Sequence, residues 1–154
     1  MTIAPILRRV EVAAPPAQAF DLFASRMADW WPKGRTVAKS PHEAIILEPR
    51  PGGRWFERDA EGQETHWGEV IAWEPPTRLL LGWRLNAQWT FDPGFLTEVE
   101  ITFTALPQGG TRVTLEHRNL ERFGAQAQAR RDQLDGGWPG LLADYAALVA
   151  ASLK

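Results

Sequence analysis

Cysteine is absent from this chain, and histidine, tyrosine and methionine are scarce. With no Cys among 154 residues, disulfides, thiolate metal sites and a cysteine nucleophile are excluded. The three histidines, His42, His66 and His117, lack the close spacing of zinc ligands, and no serine lies in the G-x-S-x-G pattern of a hydrolase nucleophile. We therefore expect neither a metal nor a cofactor.

Long apolar runs and an excess of charge of either sign are also absent. No stretch approaches the roughly 20 apolar residues of a membrane-spanning helix, and the first residues lack the apolar core of a signal peptide. Lys and Arg total 17 against 19 Asp and Glu, a net charge of −2, which is not the basic balance typical of nucleic-acid-binding proteins. We expect a cytoplasmic monomer or homodimer with no membrane span and no nucleic-acid partner.

Tryptophan, by contrast, is abundant, with 8 residues in the chain. The indole ring is large and apolar and carries one N–H group that requires an acceptor when buried. The rings therefore fill a core, line a binding cavity, or do both. The length is typical of one domain, which we place over residues 1–154, and such a domain buries about 70% of its unfolded surface without needing a metal or disulfide.

Hydrophobic periodicity predicts a series of strands. Residues 96–106 alternate throughout, with Val99, Ile101 and Phe103 on one face and acidic or hydroxyl side chains on the other, which is typical of a half-buried strand. Short turns containing Gly and Pro separate the strands, so consecutive strands are expected to pair antiparallel. The predicted strands are residues 6–12, 44–48, 54–58, 65–73, 78–85, 96–106 and 111–118.

Two regions have helical periodicity instead. Residues 17–28 follow a Pro pair and have apolar side chains at helical spacing. Residues 138–153 form an amphipathic helix with Pro139 in its first turn, where proline is tolerated. A polar helix over residues 120–134 precedes it and is predicted to end at Asp135-Gly136-Gly137. A run of strands followed by a long helix indicates an α+β fold in which the helix covers one face of the sheet.

Several motifs along the chain resemble those of a known family. They are Gly53-Arg54-Trp55-Phe56-Glu57, His66-Trp67-Gly68-Glu69-Val70, Trp73-Glu74-Pro75-Pro76-Thr77-Arg78-Leu79, Gly110-Thr111-Arg112-Val113, Glu116-His117-Arg118 and Gly136-Gly137-Trp138. In this order they resemble the signature of the bacterial homologues of the heat-shock protein 90 ATPase activator, members of the START-like, birch-pollen-allergen-like superfamily. The resemblance covers residues 6–153. It implies a helix-grip fold, in which a curved antiparallel sheet of about six to seven strands wraps around a long C-terminal helix, with short helices after the first strand.

The superfamily that the chain resembles includes lipid carriers, hormone receptors, cyclases, aromatases and co-chaperone domains, so the fold does not determine the activity. Our first hypothesis is a protein that binds a small apolar or aromatic molecule between the sheet and the C-terminal helix. The alternatives are a protein-interaction or chaperone-associated module, and a cyclase-, aromatase- or hydrolase-like enzyme in which His117 and Glu57 exchange protons.

The candidate ligand-binding residues are those that point inward from the predicted sheet or lie near the cavity that the helix-grip fold implies. An apolar lining with a few polar groups is typical of a ligand site. Alternatively, the same bulky rings fill the space. The candidates are Trp31, Trp55, Glu57, Leu81, Trp83, Ile101, Phe103, His117, Trp138, Leu142 and Tyr145.

Three polar side chains share the inward phase of their strands, namely His117, Glu57 and Arg8. A buried Glu and a buried Arg require partners, so we expect them to pair or to hold the polar end of a ligand. Alternatively, His117 is hydrogen-bonded within the core and both charged residues lie in solvent at strand ends. The segment 30–35, with two adjacent Trp and two cations, is predicted to cover the cavity mouth as a gate or protein-contact patch, or to divide into one core Trp and one half-exposed Trp.

Overall fold

Seven antiparallel strands form a single curved sheet in the computed structural model, which describes residues 3–32 and 42–153. The strands are β1 (Ile6–Val12), β2 (His42–Leu47), β3 (Arg54–Asp59), β4 (Glu64–Glu74), β5 (Arg78–Trp83), β6 (Thr97–Ala105) and β7 (Thr111–Arg118). Strands β2 to β7 follow one another across the sheet, and β1 pairs with β7. All seven lie where the hydrophobic alternation predicted strands, with differences of a few residues at their ends.

The long C-terminal helix packs into the concave face of this sheet. The helical segments are α1 (Pro16–Ser25), α2 (Met27–Trp30), a 3-10 helix (Leu120–Gln126) and α3 (Ala127–Ser152). The apolar stripe of α3 includes Trp138, Leu142, Tyr145 and Val149, which recur every three or four residues and are buried. This is the α+β helix-grip fold that the resemblance implied. Within the described residues, no helix has both the length and the apolarity needed to cross a bilayer.

The last helix is longer than predicted. It runs without a break through Asp135-Gly136-Gly137, so the predicted interruption there is wrong. Glycine costs a helix only about 1 kcal/mol relative to alanine, and burial of Leu134 and Trp138 in the core offsets that cost. The first part of the predicted polar helix forms the 3-10 helix instead, which contains Gly124 at a φ of 71°.

The first helical region, predicted as one helix over residues 17–28, is divided into α1 and α2. The two helices meet at Arg26, whose φ of −120° and ψ of 28° are not helical. The change of direction brings α2 back against α1, where Trp30 Nε1 donates a hydrogen bond to Phe23 O at 3.3 Å. Trp30, the last residue of α2, is thereby fixed in the core, and Trp31 follows it directly.

Pro139 lies in the middle of α3, not in a first turn, and has no N–H group to donate to the carbonyl of Asp135. Arg8 of β1 supplies a donor in its place, because its Nη2 lies 3.4 Å from Asp135 O and 2.8 Å from Asp135 Oδ1. The expected pair between Arg8 and Glu57 is therefore wrong. The Arg8 side chain is 41% exposed at the sheet edge and fastens the first strand to the last helix.

The two halves of the sheet differ in regularity. The ladders β5–β6, β6–β7 and β1–β7 each keep one register. The ladders β2–β3, β3–β4 and β4–β5 each contain a register shift, the mark of a β-bulge, which bends a strand. Gly68 permits this bending, because a Cβ atom there would lie 1.7 Å from Gly82 O.

The convex face of the sheet carries the charged side chains that the alternation placed toward water. Arg118 of β7 bonds Glu98 and Glu100 of β6 at 3.0 and 2.8 Å, and Arg78 of β5 also bonds Glu100. These side chains are only partly exposed, and ion pairs that remain in contact with water contribute little individually. The apolar side chains of these strands point instead to the concave face, toward α3.

Candidate functional site

A cavity of about 540 Å³ lies between the bulged half of the sheet and the first half of α3. Its volume is within the roughly 300–1,000 Å³ that is usual for small-molecule sites. Its walls are mainly indole rings and leucine side chains, and none of the described lining residues is charged. They are Trp31, Trp67, Trp83, Leu85, Trp89, Gln133, Leu134, Gly137, Trp138 and Leu141.

A β-bulge in β4 directs the side chain of Trp67 into the wall of this cavity. Trp55 of β3 pairs with Gly68, whereas Phe56 pairs with His66, so Trp67 is the extra residue between them. An extra residue interrupts the alternation of a strand and re-aims its side chain. Trp67 is 1% exposed, and its ring centroid lies 5.4 Å from that of Trp55.

Trp31 and Trp138 form adjoining walls. Their ring centroids lie 6.0 Å apart at an interplanar angle of 89°, an edge-to-face arrangement. Trp30 and Trp31 are both buried, at 3% and 6% exposure, so the prediction of one half-exposed Trp in this pair is wrong. The part of the predicted gate or protein-contact patch at residues 33–35 lies outside the described residues.

Three wall tryptophans donate their indole N–H groups to protein acceptors. A donor bonded within the protein is not available to a ligand, so these walls present ring faces and apolar ring edges. The bonds run from Trp67 to Glu57 Oε1 (2.8 Å), from Trp83 to Leu85 O (3.1 Å) and from Trp138 to His117 Nδ1 (3.2 Å).

His117 is fully buried behind Trp138 and is held neutral. Its Nδ1 accepts from Trp138, and its Nε2 lies 2.9 Å from Thr97 Oγ1, whose hydroxyl donates to Trp83 O at 3.5 Å. These roles place the ring proton on Nε2. Burial lowers the pKa of His117 from 6.5 to about 3, because desolvation disfavours the imidazolium form. The residue is thus an uncharged link at neutral pH.

The acid–base pair of His117 and Glu57 suggested by the enzyme alternative is not formed. Thr97 and Trp138 engage the two nitrogens of His117, and Glu57 Oε1 accepts from Trp67. Neither His117 nor Glu57 is among the described lining residues of the cavity. Nor do any three His, Asp or Glu side chains in the described part of the chain cluster closely enough to hold a metal ion.

The loop after β5 carries Trp89, which with Gln133 is the least buried of the described lining residues, and these two residues mark the mouth of the cavity. Trp89 has a φ of 59°, a left-handed conformation that is uncommon and costly for a residue with a side chain. The turn around it holds this conformation, since Asn86 Oδ1 accepts the backbone N–H groups of Gln88 and Thr90 at 3.0 and 3.1 Å. Strain maintained in this way is typical of functional positions.

Arg130 of α3 braces the same loop. Its Nε donates to Ala87 O at 2.7 Å, and its guanidinium carbon lies 6.0 Å from the centroid of the Trp89 ring. Its Nη1 donates to Gln133 Oε1 at 2.8 Å. Gln133 is exposed at the mouth and contributes the side-chain amide of the lining.

The structure brings three of the predicted ligand-binding residues, Trp31, Trp83 and Trp138, to the cavity wall. Tyr145 is typical of those that it places in the packed core. Its hydroxyl donates to Ala19 O at 2.7 Å, and burial raises its pKa above the ordinary value of 10. As ligand contacts, all of the predicted residues remain predictions. The other candidates in the core are Trp55, Glu57, Leu81, Ile101, Phe103, His117 and Leu142.

Several lining residues were missed from the sequence. The β-bulge breaks the alternation at Trp67, so the pattern does not predict its direction. Gly68 could have indicated the bulge, because a glycine inside a strand is often found at one. Leu134 and Leu141 were separated by the wrongly predicted helix break, whereas in one helix Leu134, Trp138 and Leu141 share a face. The other missed residues are Trp89, Gln133 and Gly137, whereas Leu85 continues the inward alternation of Leu81 and Trp83.

Solved structures similar to this chain have the same fold. Txn09, described as an anthrahydroquino-gamma-pyrone synthase, is 38% identical, with a TM-score of 0.67 over 95% of this chain and 97% of that chain. CalC from Micromonospora echinospora, described as a self-sacrificing resistance protein, is 31% identical, with a TM-score of 0.73 over 96% and 95%. Protein MLL2253 from Mesorhizobium loti, at 20% identity and a TM-score of 0.70 over 96% and 98%, is a likeness of fold alone. No curated protein matches the chain.

A family profile matches most of the chain. The profile is that of the Activator of Hsp90 ATPase homolog 1-like protein, and it matches residues 13–150. This interval contains six of the seven strands and every described lining residue of the cavity. The chain therefore belongs to the family of the Activator of Hsp90 ATPase homolog 1-like protein, as its motifs predicted.

Proposed function

We propose that this chain binds a planar aromatic or other apolar small molecule in the Trp-lined cavity. The observation that carries the proposal is the set of Trp rings around about 540 Å³ that the side chains of residues 3–32 and 42–153 do not fill. Protein interiors are normally close-packed, and rings that border a space lose dispersion contacts on that side. An aromatic ligand restores those contacts by offset or edge-to-face stacking.

The polarity of the walls supports an apolar ligand. The described lining residues carry no charge, and the indole N–H groups of Trp67, Trp83 and Trp138 are bonded within the protein. A charged group placed against such walls would lose its hydration without gaining a partner. The main driving force is therefore the removal of apolar surface from water, about 25 cal/mol per Å².

The relatives are consistent with an aromatic ligand. Txn09, at 38% identity, is described as the synthase of an anthrahydroquino-gamma-pyrone, which is by its name a fused-ring compound. We extend to the present chain only the flat, aromatic character of such a molecule. The proposal is one of binding, without an assigned reaction.

Naphthalene and phenanthrene provide the test. We expect both to quench the Trp fluorescence saturably and to bind with one-to-one stoichiometry in isothermal titration calorimetry. The variant Leu134→Trp places an additional ring in the cavity from α3 and should abolish binding. Leu148→Trp lies on the same helix, half-buried and outside the cavity lining, and should bind as the native chain does.

Two results would contradict the proposal. One is the absence of saturable binding of either compound to the native chain. The other is equal binding by the native chain and Leu134→Trp, with the circular dichroism spectra and melting temperatures of both variants close to the native values. Loss of binding in Leu148→Trp alone would place the ligand elsewhere.

A further inference from the structure

The mouth of the cavity differs chemically from its walls. The walls offer ring faces, because the N–H groups of Trp67, Trp83 and Trp138 are already donated to protein acceptors. The mouth instead carries the amide of Gln133, with Arg130 one turn earlier on α3. A bound molecule therefore meets polar groups at one end only.

Arg130 determines which half of the Gln133 amide is free. Its Nη1 donates to Gln133 Oε1 at 2.8 Å, so the amide oxygen is used and the amide NH2 group remains. Gln133 is exposed, and the structure gives its Nε2 no protein acceptor among the described residues. The amide is thus a hydrogen-bond donor at the mouth.

Arg130 also brings an uncompensated positive charge. Its bonds run to Ala87 O (2.7 Å), Gln126 Oε1 (2.6 Å) and Gln133 Oε1 (2.8 Å), all neutral oxygens. No carboxylate of the described residues lies within ion-pair distance of it, whereas Arg8, Arg84 and Arg118 each have at least one. A guanidinium has five N–H groups, so these bonds leave donors unused.

We propose that Gln133 and Arg130 form the polar end of the site, and that the ligand is an aromatic molecule with an acceptor oxygen, a carbonyl or a carboxylate, at that end. This inference rests on the proposed function and adds to it the polarity and orientation of the ligand. An ammonium group at the same position would meet an N–H donor and a like charge, and is disfavoured.

Four naphthalene compounds of similar shape test the inference by isothermal titration calorimetry. They are naphthalene, 2-acetonaphthone, 2-naphthoate and 2-naphthylmethylammonium. We expect 2-acetonaphthone to bind roughly three- to tenfold more tightly than naphthalene, the effect of one hydrogen bond. If 2-naphthoate binds more tightly than naphthalene and the difference falls with added salt, the preferred acceptor is a carboxylate. If only 2-acetonaphthone binds more tightly than naphthalene, the preferred acceptor is a carbonyl. The ammonium compound should bind most weakly.

Variants assign any preference to the two side chains. Gln133→Glu replaces the NH2 donor by an oxygen of the same shape and should remove the advantage of 2-acetonaphthone over naphthalene, both measured on the same variant. Arg130→Gln removes the charge and should remove any advantage of 2-naphthoate. Gln108→Glu makes the same charge change as the first variant in the exposed turn before β7 and should alter no preference.

The outcomes separate this inference from the proposed function. If none of the four compounds binds, the proposed function fails and the inference fails with it. If naphthalene, 2-acetonaphthone and 2-naphthoate bind equally, or the ammonium compound binds most tightly, the cavity binds aromatic molecules but the inference is wrong. It is also wrong if Gln133→Glu and Gln108→Glu both keep the native order of affinities.

Discussion

The regular half of the sheet and the bulged half use similar aromatic side chains in opposite ways. In the regular half, the ring of Phe103 on β6 lies 5.1 Å from that of Phe20 and 5.9 Å from that of Phe23. Phe23 in turn lies 5.2 Å from Tyr145. These rings contact one another and fill the interior under α1. In the bulged half, comparable rings border a cavity of about 540 Å³.

The two halves also differ in the regularity of their backbone. Where the ladders keep one register, inward side chains stand in rows that α1 and α3 cover. Where the register shifts, side chains such as Trp67 are re-aimed and the strands bend. Aromatic content alone therefore does not distinguish a filled core from a lined cavity, and in this chain the cavity lies beside the shifted registers.

Removing a ring from the filled half should have the largest effect on stability. Phe103→Ala deletes a ring that is 3% exposed and should lower the free energy of unfolding by about 3–5 kcal/mol, measured by urea denaturation. Its affinity for naphthalene should remain native. A large loss of affinity would instead identify Phe103 as a ligand contact, and Phe103→Leu, a milder change, would then show the same trend.

His117 joins the two halves, since it lies on β7 and bonds the cavity wall through Trp138. Its pKa of about 3 in the folded chain lies below the ordinary 6.5, so the unfolded chain binds the proton first as the pH falls. The stability contributed by neutral His117 is complete above pH 6.5 and is lost as the pH falls toward 3. The free energy of unfolding should fall by about 2 kcal/mol between pH 7 and pH 5 from this group.

Denaturation of the native chain and of His117→Gln at pH 7, 6 and 5 measures this contribution. The variant removes the titrating group, so its stability should depend less steeply on pH, even if it is less stable throughout. Parallel pH profiles for the two proteins would show that His117 does not titrate as its burial requires.

Removing a ring from the cavity mouth should produce the reverse of the Phe103 result. Trp89→Gly deletes a half-buried side chain and relieves the backbone strain at a φ of 59°, because glycine adopts positive φ freely, so the free energy of unfolding should change by less than about 1 kcal/mol. Loss of the stacking surface should weaken naphthalene binding about tenfold. Native affinity in this variant would mean that the ligand does not contact the mouth.

The smallest effect is expected from stiffening the helix beside the cavity. Gly136 lies on α3 with nothing within 4 Å of an added Cβ atom, so Gly136→Ala should stabilise the chain by about 0.5–1 kcal/mol. Naphthalene affinity should be unchanged.

Gly68→Ala should have the opposite effect on stability, because its Cβ atom would collide with Gly82 O. Thermal melting should show a large loss of stability.

Most of the fold could be predicted from the sequence, because strand alternation is read directly from the side chains. The strands β6 and β7 have their inward residues where the alternation placed them, and Val99 and Leu115 are fully buried. The predicted boundaries of α3 are wrong because the two glycines disfavour a helix locally, whereas the burial of Leu134 and Trp138 keeps it continuous.

The site could be predicted only in part. Trp83 and Trp138 follow regular strand or helix periodicity, so their inward direction was available from the sequence. Trp67 lies at a register shift and Trp89 lies in a turn held by Asn86. Hydrophobic periodicity therefore does not predict the direction of either side chain. Whether the Trp rings line a cavity or fill the core depends on these two irregular positions, so the sequence left both possibilities open.

The bond between Arg8 and Asp135 joins residues 127 positions apart, and it has a consequence for how the chain folds. β1 is made first during synthesis, yet it pairs with β7, and the cavity walls come from positions as distant as Trp31 and Leu141. Such long-range contacts form slowly and late. A chain synthesised only as far as β7 lacks the walls that α3 supplies, so a molecule that binds the site stabilises the fold only after α3 has been made.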